Sequence, residues 1–263
     1  MLASKRSMMR SLQGTAQARP AAARAAPRRT ALRVRAHGAV SATELKKQGF
    51  IGEMRAVAMK LHTRDQAPKE GGQKASPRPM PTWQPTREGY VRFLAESRAV
   101  YSAFEDIISK AERPEYEQFQ GTGLERVAAI DKDLAWFQET YGISAPQLPA
   151  DSPGLAYAQK LYGLAVSDPP AFICHYYNYF FAHTAGGRMI GSKVSSMILD
   201  NAELEFYKYD GDVAPLLDAV RSKINALSES WTREQKDHCL QETADTFKYS
   251  GSLMPFIMGS GGH

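Results

Sequence analysis

The fold of this chain is decided by FICHYYNYFFAHTAGGRMIG, residues 172–191, which begins aromatic and apolar and ends with a glycine pair. Asp168-Pro169 comes before it, and an N-cap residue followed by proline at the first helical position predicts a helix start. The segment runs to about Asn201 and is nearly uncharged in its first half. We therefore predict one long helix whose first half is buried.

The glycine pair Gly186-Gly187 lies inside this predicted helix, where each glycine costs about 1 kcal/mol relative to alanine. Such a pair often marks a kink or a close approach of another group to the backbone. Without side chains, the backbone there could lie directly over a flat ligand, and His183 lies one turn earlier, near the same space. A tight helix crossing with an aromatic core stripe is the alternative, and these residues alone leave both readings open.

The rest of the pattern is helical almost throughout, so the predicted fold class is all-α. Strand signals are absent from the sequence, because it has neither alternating β-branched residues nor Asn-Gly hairpins. Helix starts are marked by capping boxes, or by an N-cap before proline, at Ser41–Glu44, Thr122–Glu125, Ser152-Pro153, Asp168-Pro169 and Thr232–Gln235. The longer helices are expected at about 41–62, 87–110, 122–140, 169–201, 210–229 and 232–256.

Residues 64–88 differ from this helical pattern, with five prolines, two glycines and mixed charge. Such a composition predicts a long loop, which inside a compact domain is either functional or disordered. A boundary between two domains is the less favoured interpretation, because a lone helix on its N-terminal side could not bury its apolar face. We expect residues 37–263 to form one domain.

The first 36 residues have the composition of an organellar transit peptide, rich in arginine, alanine and hydroxylated residues and without Asp or Glu. Val34-Arg35-Ala36 resembles a plastid processing site, which would place the mature start near His37. A merely disordered basic tail is the alternative. Composition does not separate plastid from mitochondrion.

The charge of the chain changes sign once this segment is set aside. The whole sequence has a formal net charge of +5, but residues 1–40 hold nine of its 33 Lys and Arg residues. The remainder has 24 basic against 28 acidic residues, a net charge of −4. Nucleic acid is therefore an unfavoured partner. No apolar run approaches the roughly 20 residues of a membrane span, so we expect no membrane anchor.

A second candidate segment is GEMRAVAMKLHT, residues 52–63, at the end of the first predicted helix. Ile51, Arg55, Ala58 and His62 form one stripe, each three or four residues from the next. A neutral imidazole is a good axial ligand for a heme iron, and an arginine two turns away could reach a propionate at the heme edge. A helix-terminal histidinium that interacts with the helix dipole is the alternative.

Five segments together resemble the plant and algal plastid heme oxygenases, over nearly the whole chain after the transit segment. These are MRAVAMKLHT (54–63), TGLERVAAIDKDLAWF (122–137), FICHYYNYFFAHTAGGRMIG (172–191), ILDNAELEFYKYDG (198–211) and WTREQKDHCLQETADTFKYSG (231–251). The resemblance implies a single-domain helical bundle with heme b, both cofactor and substrate, between a proximal and a distal helix. His62 would be the proximal iron ligand, and Gly186 and Gly187 on the distal helix would pack against the porphyrin.

The activity implied by this resemblance is oxidative opening of heme at the α-meso carbon, with O₂ as co-substrate, to give biliverdin IXα, CO and ferrous iron. Animal and many bacterial relatives carry an aspartate on the distal helix to order a water, and His183 stands in that position here. A histidine could order water as donor or acceptor and ordinarily titrates near neutrality. For the propionates, the candidates are Arg55, then Lys248, and Tyr177, which on an ideal helix points about 120° away from His183.

The resemblance also implies reduced ferredoxin as electron donor, the chloroplast stroma as location, and a bilin reductase as a candidate downstream partner. A small monomer is the default expectation. Ferredoxin is acidic, so docking requires a local basic patch, for which the first helix offers Lys46, Lys47, Arg55, Lys60 and Arg64. His175 and His238 are expected to be structural or surface residues, and Cys174 and Cys239 inert.

Three alternative functions remain. The first is a non-catalytic heme or tetrapyrrole carrier or sensor, which the presence of His62 and the glycine pair disfavours. The second is another enzyme on the same fold, but no motif surrounds Cys174 as a thiaminase-like nucleophile, and the Glu-x-x-His pairs of a di-iron site are absent. The third is a helical bundle without a ligand.

Overall fold

The computed structural model describes residues 48–66 and 83–259, and the side chains of 62–66 lie outside the described part. The predicted transit segment 1–36 and the capping box at Ser41 also lie outside it. Every regular element among the described residues is helical, which confirms the predicted all-α class. None of the helices in these two ranges is both long and apolar enough to cross a bilayer.

The helices follow one another along the chain. They are α1 (Phe50–Gln66), α2 (Arg87–Lys110), α3 (Pro114–Glu117), α4 (Val127–Tyr141), α5 (Pro153–Ser167), α6 (Pro169–Ala182), a π-helical turn (His183–Gly187), α7 (Arg188–Ile198), a 3₁₀ turn (Glu205–Tyr207), α8 (Val213–Ser228), α9 (Arg233–Gln241), α10 (Thr243–Gly251) and α11 (Met254–Met258).

Three helix starts use the capping residues that the sequence predicts. The Ser152 hydroxyl accepts from Leu155 N at 3.4 Å and begins α5, and the Asp168 carboxylate accepts from Ala171 N at 3.2 Å and begins α6. Thr232 and Gln235 make a reciprocal capping box at the start of α9. Each of these side chains satisfies an amide that the helix leaves unpaired.

The predicted helix start at Thr122 is wrong, although the capping-box contact itself forms. Glu125 Oε1 accepts from Thr122 N at 2.8 Å, but α4 begins only at Val127. The reason is tertiary: Glu105 Oε1, on α2, accepts from the amides of Arg126 and Val127 at 2.6 and 3.0 Å. A carboxylate from another helix therefore caps α4.

Helix α2 has the predicted bounds, Arg87–Lys110, but other predicted boundaries change. Helix α1 extends to Gln66, and α2 begins at Arg87 with Thr86 Oγ1 accepting from Gly89 N at 3.0 Å, so the segment between these helices is shorter than the predicted loop at 64–88. Residues 67–82 of that loop lie outside the described part. The single helix predicted at 232–256 is divided into α9, α10 and α11.

The core is a cluster of aromatic side chains between α2 and α6. The Phe104 ring lies between 5.5 and 6.4 Å from the rings of Tyr157, Phe172, Tyr176, Tyr179 and Phe180. Burial of each such ring stabilises the fold by about 1.5–3 kcal/mol, and edge-to-face pairs add about 0.5–1.5 kcal/mol. The aromatic half of α6 is thereby anchored, and the turn that contains the glycines continues directly from it.

Candidate functional site

The glycine pair lies in a π-helical turn between α6 and α7. Arg188 N–H donates to the carbonyl of His183, five residues earlier, instead of to the carbonyl four residues earlier. The sequence predicts a kink or a close approach here, and the structure has one extra residue in this helical turn. Single π turns of this kind are frequent at functional sites, because they displace side chains from the regular helical register.

His183 is the buried side chain of this turn, with 8% of its surface exposed. Its Nε2 lies 2.9 Å from the carbonyl oxygen of Phe206. A carbonyl only accepts, so Nε2 carries the proton and Nδ1 remains as an acceptor. The imidazole also stacks on the ring of Tyr207, with centroids 5.3 Å apart.

The protonation of His183 differs from what the sequence predicts. Burial disfavours the imidazolium ion and lowers the pKa of His183 to about 3, although the hydrogen bond to Phe206 opposes this shift. The expectation of a side chain that titrates near neutrality is therefore wrong. His183 is a neutral group whose single N–H is already engaged, so it can order a water only as an acceptor through Nδ1.

The two glycines meet different surroundings. A Cβ on Gly187 would lie 2.9 Å from His183 Nδ1, so this glycine makes room for the imidazole. A Cβ on Gly186 would have no heavy atom within 4 Å, and Gly186 is exposed. The group that closely approaches the backbone at Gly187 is therefore the imidazole of His183. Gly186 instead leaves uncovered backbone on an open face.

That open face is small and apolar. Ala182 is three and four residues from Ala185 and Gly186, and these two are four and three residues from Met189, so all four lie on one side of the helix. All four are exposed, Met189 by 76%. Because large apolar side chains are absent from its centre, a planar group could lie flat against it.

Helix α1 carries the second candidate segment and packs on α8, α9 and α10. Its first turn is fixed by Asn225 of α8, whose Oδ1 accepts from Ile51 N at 3.0 Å. Arg55 is half-buried, and its Nη1 donates to Gln48 Oε1 at 2.6 Å. His62 lies in α1 two turns beyond Arg55, and its side chain is outside the described residues.

A cationic cluster joins α1, α6 and α8. Tyr177 of α6 is 4% exposed, and burial raises the pKa of its phenol while the charges of Arg221 and Arg55 and a hydrogen bond from Arg221 oppose that rise. Arg221 Nη1 donates to Asp218 Oδ1 at 2.5 Å, and its guanidinium carbon lies 5.0 Å from the centre of the Phe181 ring.

The guanidinium of Arg221 contains a buried N–H donor that lacks a partner among the described residues. Its Nε is buried and is one of two buried side-chain nitrogen or oxygen atoms without a partner among the described residues. A buried orphan donor requires an explanation, and between two guanidinium groups and a phenol the fitting partner is a carboxylate or similar anion. The sequence argument missed Arg221, because a lone arginine on the face of α8 carries no motif.

The remaining candidates lie elsewhere. Lys248 is exposed on α10, and no hydrogen bond or ion pair within residues 83–259 joins it to Tyr177 or Arg221.

His175 is fully buried, with Nδ1 2.8 Å from the Tyr157 hydroxyl and Nε2 3.1 Å from Glu242 Oε2. His238 is exposed and bonds Asp168 Oδ2 at 2.6 Å. Cys174 and Cys239 are buried free thiols, and the pKa of Cys239 is raised by its contact with Cys174 and by burial.

These features define an all-helical protein with a flat apolar helix face and with a cluster suited to carboxylates, to which the same helical segment contributes Tyr177. The heme oxygenase family model matches residues 82–255. The chain is 52% identical over 216 residues to heme oxygenase 1, chloroplastic, of Arabidopsis thaliana, which covers 81% of this chain and 75% of the relative. It is 51% identical over 208 residues to heme oxygenase 1, chloroplastic, of Oryza sativa subsp. japonica, covering 79% and 71%.

The fold has the same relatives among solved structures. Heme oxygenase-2 from Synechocystis, solved in complex with heme and NO, superposes with a TM-score of 0.56 at 18% identity, covering 81% of this chain and 83% of that one. This likeness concerns the fold. The chain belongs to the heme oxygenase family, whose members are oxidoreductases that degrade heme.

The described residues fit a heme. A porphyrin is flat and apolar across its faces and carries two carboxylates at one edge. The Ala182–Met189 face offers a surface without large side chains at its centre, and the orphan Nε of Arg221 beside Tyr177 offers a donor for a carboxylate. These are the two chemistries that such a ligand requires.

Proposed function

We propose that this protein cleaves heme b at the α-meso carbon to biliverdin IXα, CO and ferrous iron, with O₂ and with electrons from reduced ferredoxin. The observation that carries the proposal is the pairing of an open glycine face with a cationic cluster that holds a buried, unpartnered donor. When bound, heme supplies the iron that activates O₂ and the ring that is oxidised. Orientation and proton supply are the tasks of this chain.

The iron ligand in this proposal is His62 of α1. Two helical turns separate His62 from Arg55. A heme whose iron is bound by His62 would therefore extend along α1 toward Arg55. The family membership and the family resemblance of residues 54–63 support this assignment.

The cationic cluster would orient the ring. Arg55, Arg221 and Tyr177 come from three helices, and together they would hold propionates at one edge. Lys248, exposed on α10, is a further candidate cation for a propionate that reaches the surface. Holding the propionate edge in one place would fix the rotation of the ring within its own plane. The cluster would thereby determine which meso carbon is cleaved.

His183 would hold the distal water. Because its Nε2–H already donates to Phe206 and its pKa is about 3, His183 has no N–H left for a water and carries no charge at neutral pH. Its Nδ1 can accept from a water that enters beside Gly187. The proton delivered during turnover would thus come from this water, with His183 holding it in place.

The proposed electron donor rests on the family resemblance, and the proposed location in the chloroplast stroma is supported by two further observations. The two plant relatives named above are chloroplastic, and the first 36 residues have transit-peptide composition. Reduced ferredoxin would dock on the basic patch of Lys46, Lys47, Arg55, Lys60 and Arg64, of which Lys60 is exposed in the described part. A bilin reductase would then take the product.

A heme titration followed by turnover tests this function. The chain is expected to give a Soret band with hemin, and with ferredoxin, its reductase and NADPH to form biliverdin IXα. His62→Ala should lose turnover and alter the Soret band, whereas His238→Ala, an exposed histidine remote from the cluster, should match the wild type. A Soret band that stays stable during reduction would indicate a heme carrier instead.

The same assay tests the cluster. Arg221→Gln removes a charge-assisted hydrogen bond, which typically contributes about 1.5–3 kcal/mol, so heme affinity should fall about 10- to 100-fold. Arg233→Gln removes an exposed arginine paired with Glu53 and Asp237, and it should leave affinity unchanged. Equal affinities of Arg221→Gln and wild type would contradict the propionate role.

A further inference from the structure

The 3₁₀ turn Glu205–Tyr207 is held by one buried carboxylate from α4. Asp133 is 2% exposed, and its Oδ1 accepts from Glu205 N at 2.8 Å. Its Oδ2 accepts from Phe206 N, also at 2.8 Å. A single side chain therefore satisfies two consecutive amides with both of its oxygens.

The same turn holds His183. Phe206 donates its N–H to Asp133 and accepts from His183 Nε2 with its carbonyl oxygen at 2.9 Å. The rings of Phe206 and Tyr207 flank the imidazole, with centroids 4.1 and 5.3 Å away. One residue, Phe206, thus connects the carboxylate to the distal imidazole.

We propose that Asp133 is a positioning residue: by fixing the 3₁₀ turn, it keeps His183 in the Nε2–H tautomer through the carbonyl of Phe206 and keeps the imidazole buried against the rings of Phe206 and Tyr207. The proposal rests on the proposed function, in which His183 orders the distal water through Nδ1. If the turn moves, the Phe206 carbonyl leaves Nε2, and the imidazole gains access to solvent and to a proton.

The chemistry of the position supports a role beyond packing. Burial disfavours the ionised carboxylate and raises the pKa of Asp133 to about 6, despite two amides that favour the charged form. A neutral side chain would avoid this desolvation, but asparagine offers one acceptor and would turn an N–H toward the second amide. The ionisable and charged groups that face Asp133 or its turn are Glu205, Lys208 and Lys132, and the phenols of Tyr90 and Tyr207. Those that face His183 are Arg126 and Arg188, and the phenols of Tyr101, Tyr207 and Tyr209.

NMR of histidine-labelled, heme-free full-length chain tests the coupling. In the wild type, the ring signals of His183 should stay those of the neutral Nε2–H tautomer between pH 6.5 and 8, above the range in which Asp133 takes up its proton. In Asp133→Asn, the same signals should titrate, with the pKa of His183 moving toward its ordinary value of about 6.5. Asp131→Asn is the matched control, because Asp131 lies on the same helix but is exposed and paired with Arg98.

Unchanged His183 signals in Asp133→Asn would overturn the proposal. If that variant does not fold, a pH titration of the wild type tests the coupling instead. As Asp133 takes up its proton near pH 6, the amide signals of Glu205 and Phe206 should shift, and the ring signals of His183 should shift with them. Amide shifts without a response of the imidazole would count against the coupling.

Turnover separates this proposal from the proposed function. With heme bound, Asp133→Asn should lower kcat about tenfold with little change in heme affinity, the scale for loss of an outer hydrogen-bond partner. A chain that shows the NMR response but forms no biliverdin would contradict the heme-cleaving function while the Asp133–His183 coupling stands.

Discussion

At the scale of single residues, Gly186 and Gly187 have different tasks within the π-helical turn, although they are adjacent and identical in the sequence. The missing side chain of Gly187 leaves space for the imidazole of His183. The missing side chain of Gly186 leaves the backbone uncovered on an open face. His183 in turn is held by a carbonyl and two rings, so its chemistry is that of a fixed acceptor. The environment of each residue, more than its type, determines its role.

Alanine at the two glycines should therefore have opposite effects. Gly187→Ala places a Cβ 2.9 Å from His183 Nδ1, and the overpacking of about 1–3 kcal/mol should exceed the gain of about 1 kcal/mol in helix propensity. Gly186→Ala meets no atom and should stabilise the heme-free chain by up to about 1 kcal/mol, yet weaken heme binding. Urea unfolding and hemin titration of both variants measure these changes. Equal losses of stability in the two would refute the distinction.

At the scale of elements, the starts of α1 and α4 depend on side chains from other helices. Asn225 of α8 accepts from Ile51 N at the first turn of α1, and Glu105 of α2 caps α4. Helix α4 then presents Asp133 to the 3₁₀ turn, and that turn holds His183. The placement of His183 thus depends on Glu105 of α2, which caps α4, and on Asp133 of α4, which holds the 3₁₀ turn.

Removing the first cap should destabilise the chain measurably. Glu105→Ala leaves the amides of Arg126 and Val127 without their carboxylate, and loss of an N-cap typically costs about 0.5–2 kcal/mol. Asp106→Asn, the next residue along, removes an exposed pair with Lys110 and should change stability by less than about 0.5 kcal/mol. Urea denaturation at pH 7.5 compares them, and equal midpoints for Glu105→Ala and wild type would contradict the tertiary cap.

At the scale of the whole molecule, buried ionisable groups make stability depend on pH in two directions. Burial lowers the pKa values of His175 and His183, so the unfolded chain takes up protons first as the pH falls below about 6.5, and stability is lost. Burial raises the pKa of Asp133 to about 6, so the folded chain takes up that proton first, and stability rises with acid. The two effects oppose each other between about pH 4 and 6.

His175→Gln should flatten the loss of stability in acid. Each histidine with a lowered pKa contributes a slope of at most about 1.4 kcal/mol per pH unit below pH 6.5, and glutamine contributes none. The variant should be less stable than wild type at pH 7.5, because the contacts to Tyr157 and Glu242 weaken, and the difference should shrink by pH 5. Urea unfolding at both pH values checks this. A difference that stays constant would mean that His175 does not titrate on unfolding.

The sequence by itself determined the helical class, the N-caps at Ser152, Asp168 and Thr232, and the family, because caps and helical periodicity are local and the family segments are continuous. It also singled out His183 and the glycine pair. Only the tertiary structure decided which side chain caps α4, why the two glycines differ, and that Arg221 joins Arg55 and Tyr177. It likewise decided that His183 is neutral. The physical reason is that burial and hydrogen bonds between residues such as Phe206 and His183, 23 positions apart, set pKa values and tautomers, and no local pattern encodes them.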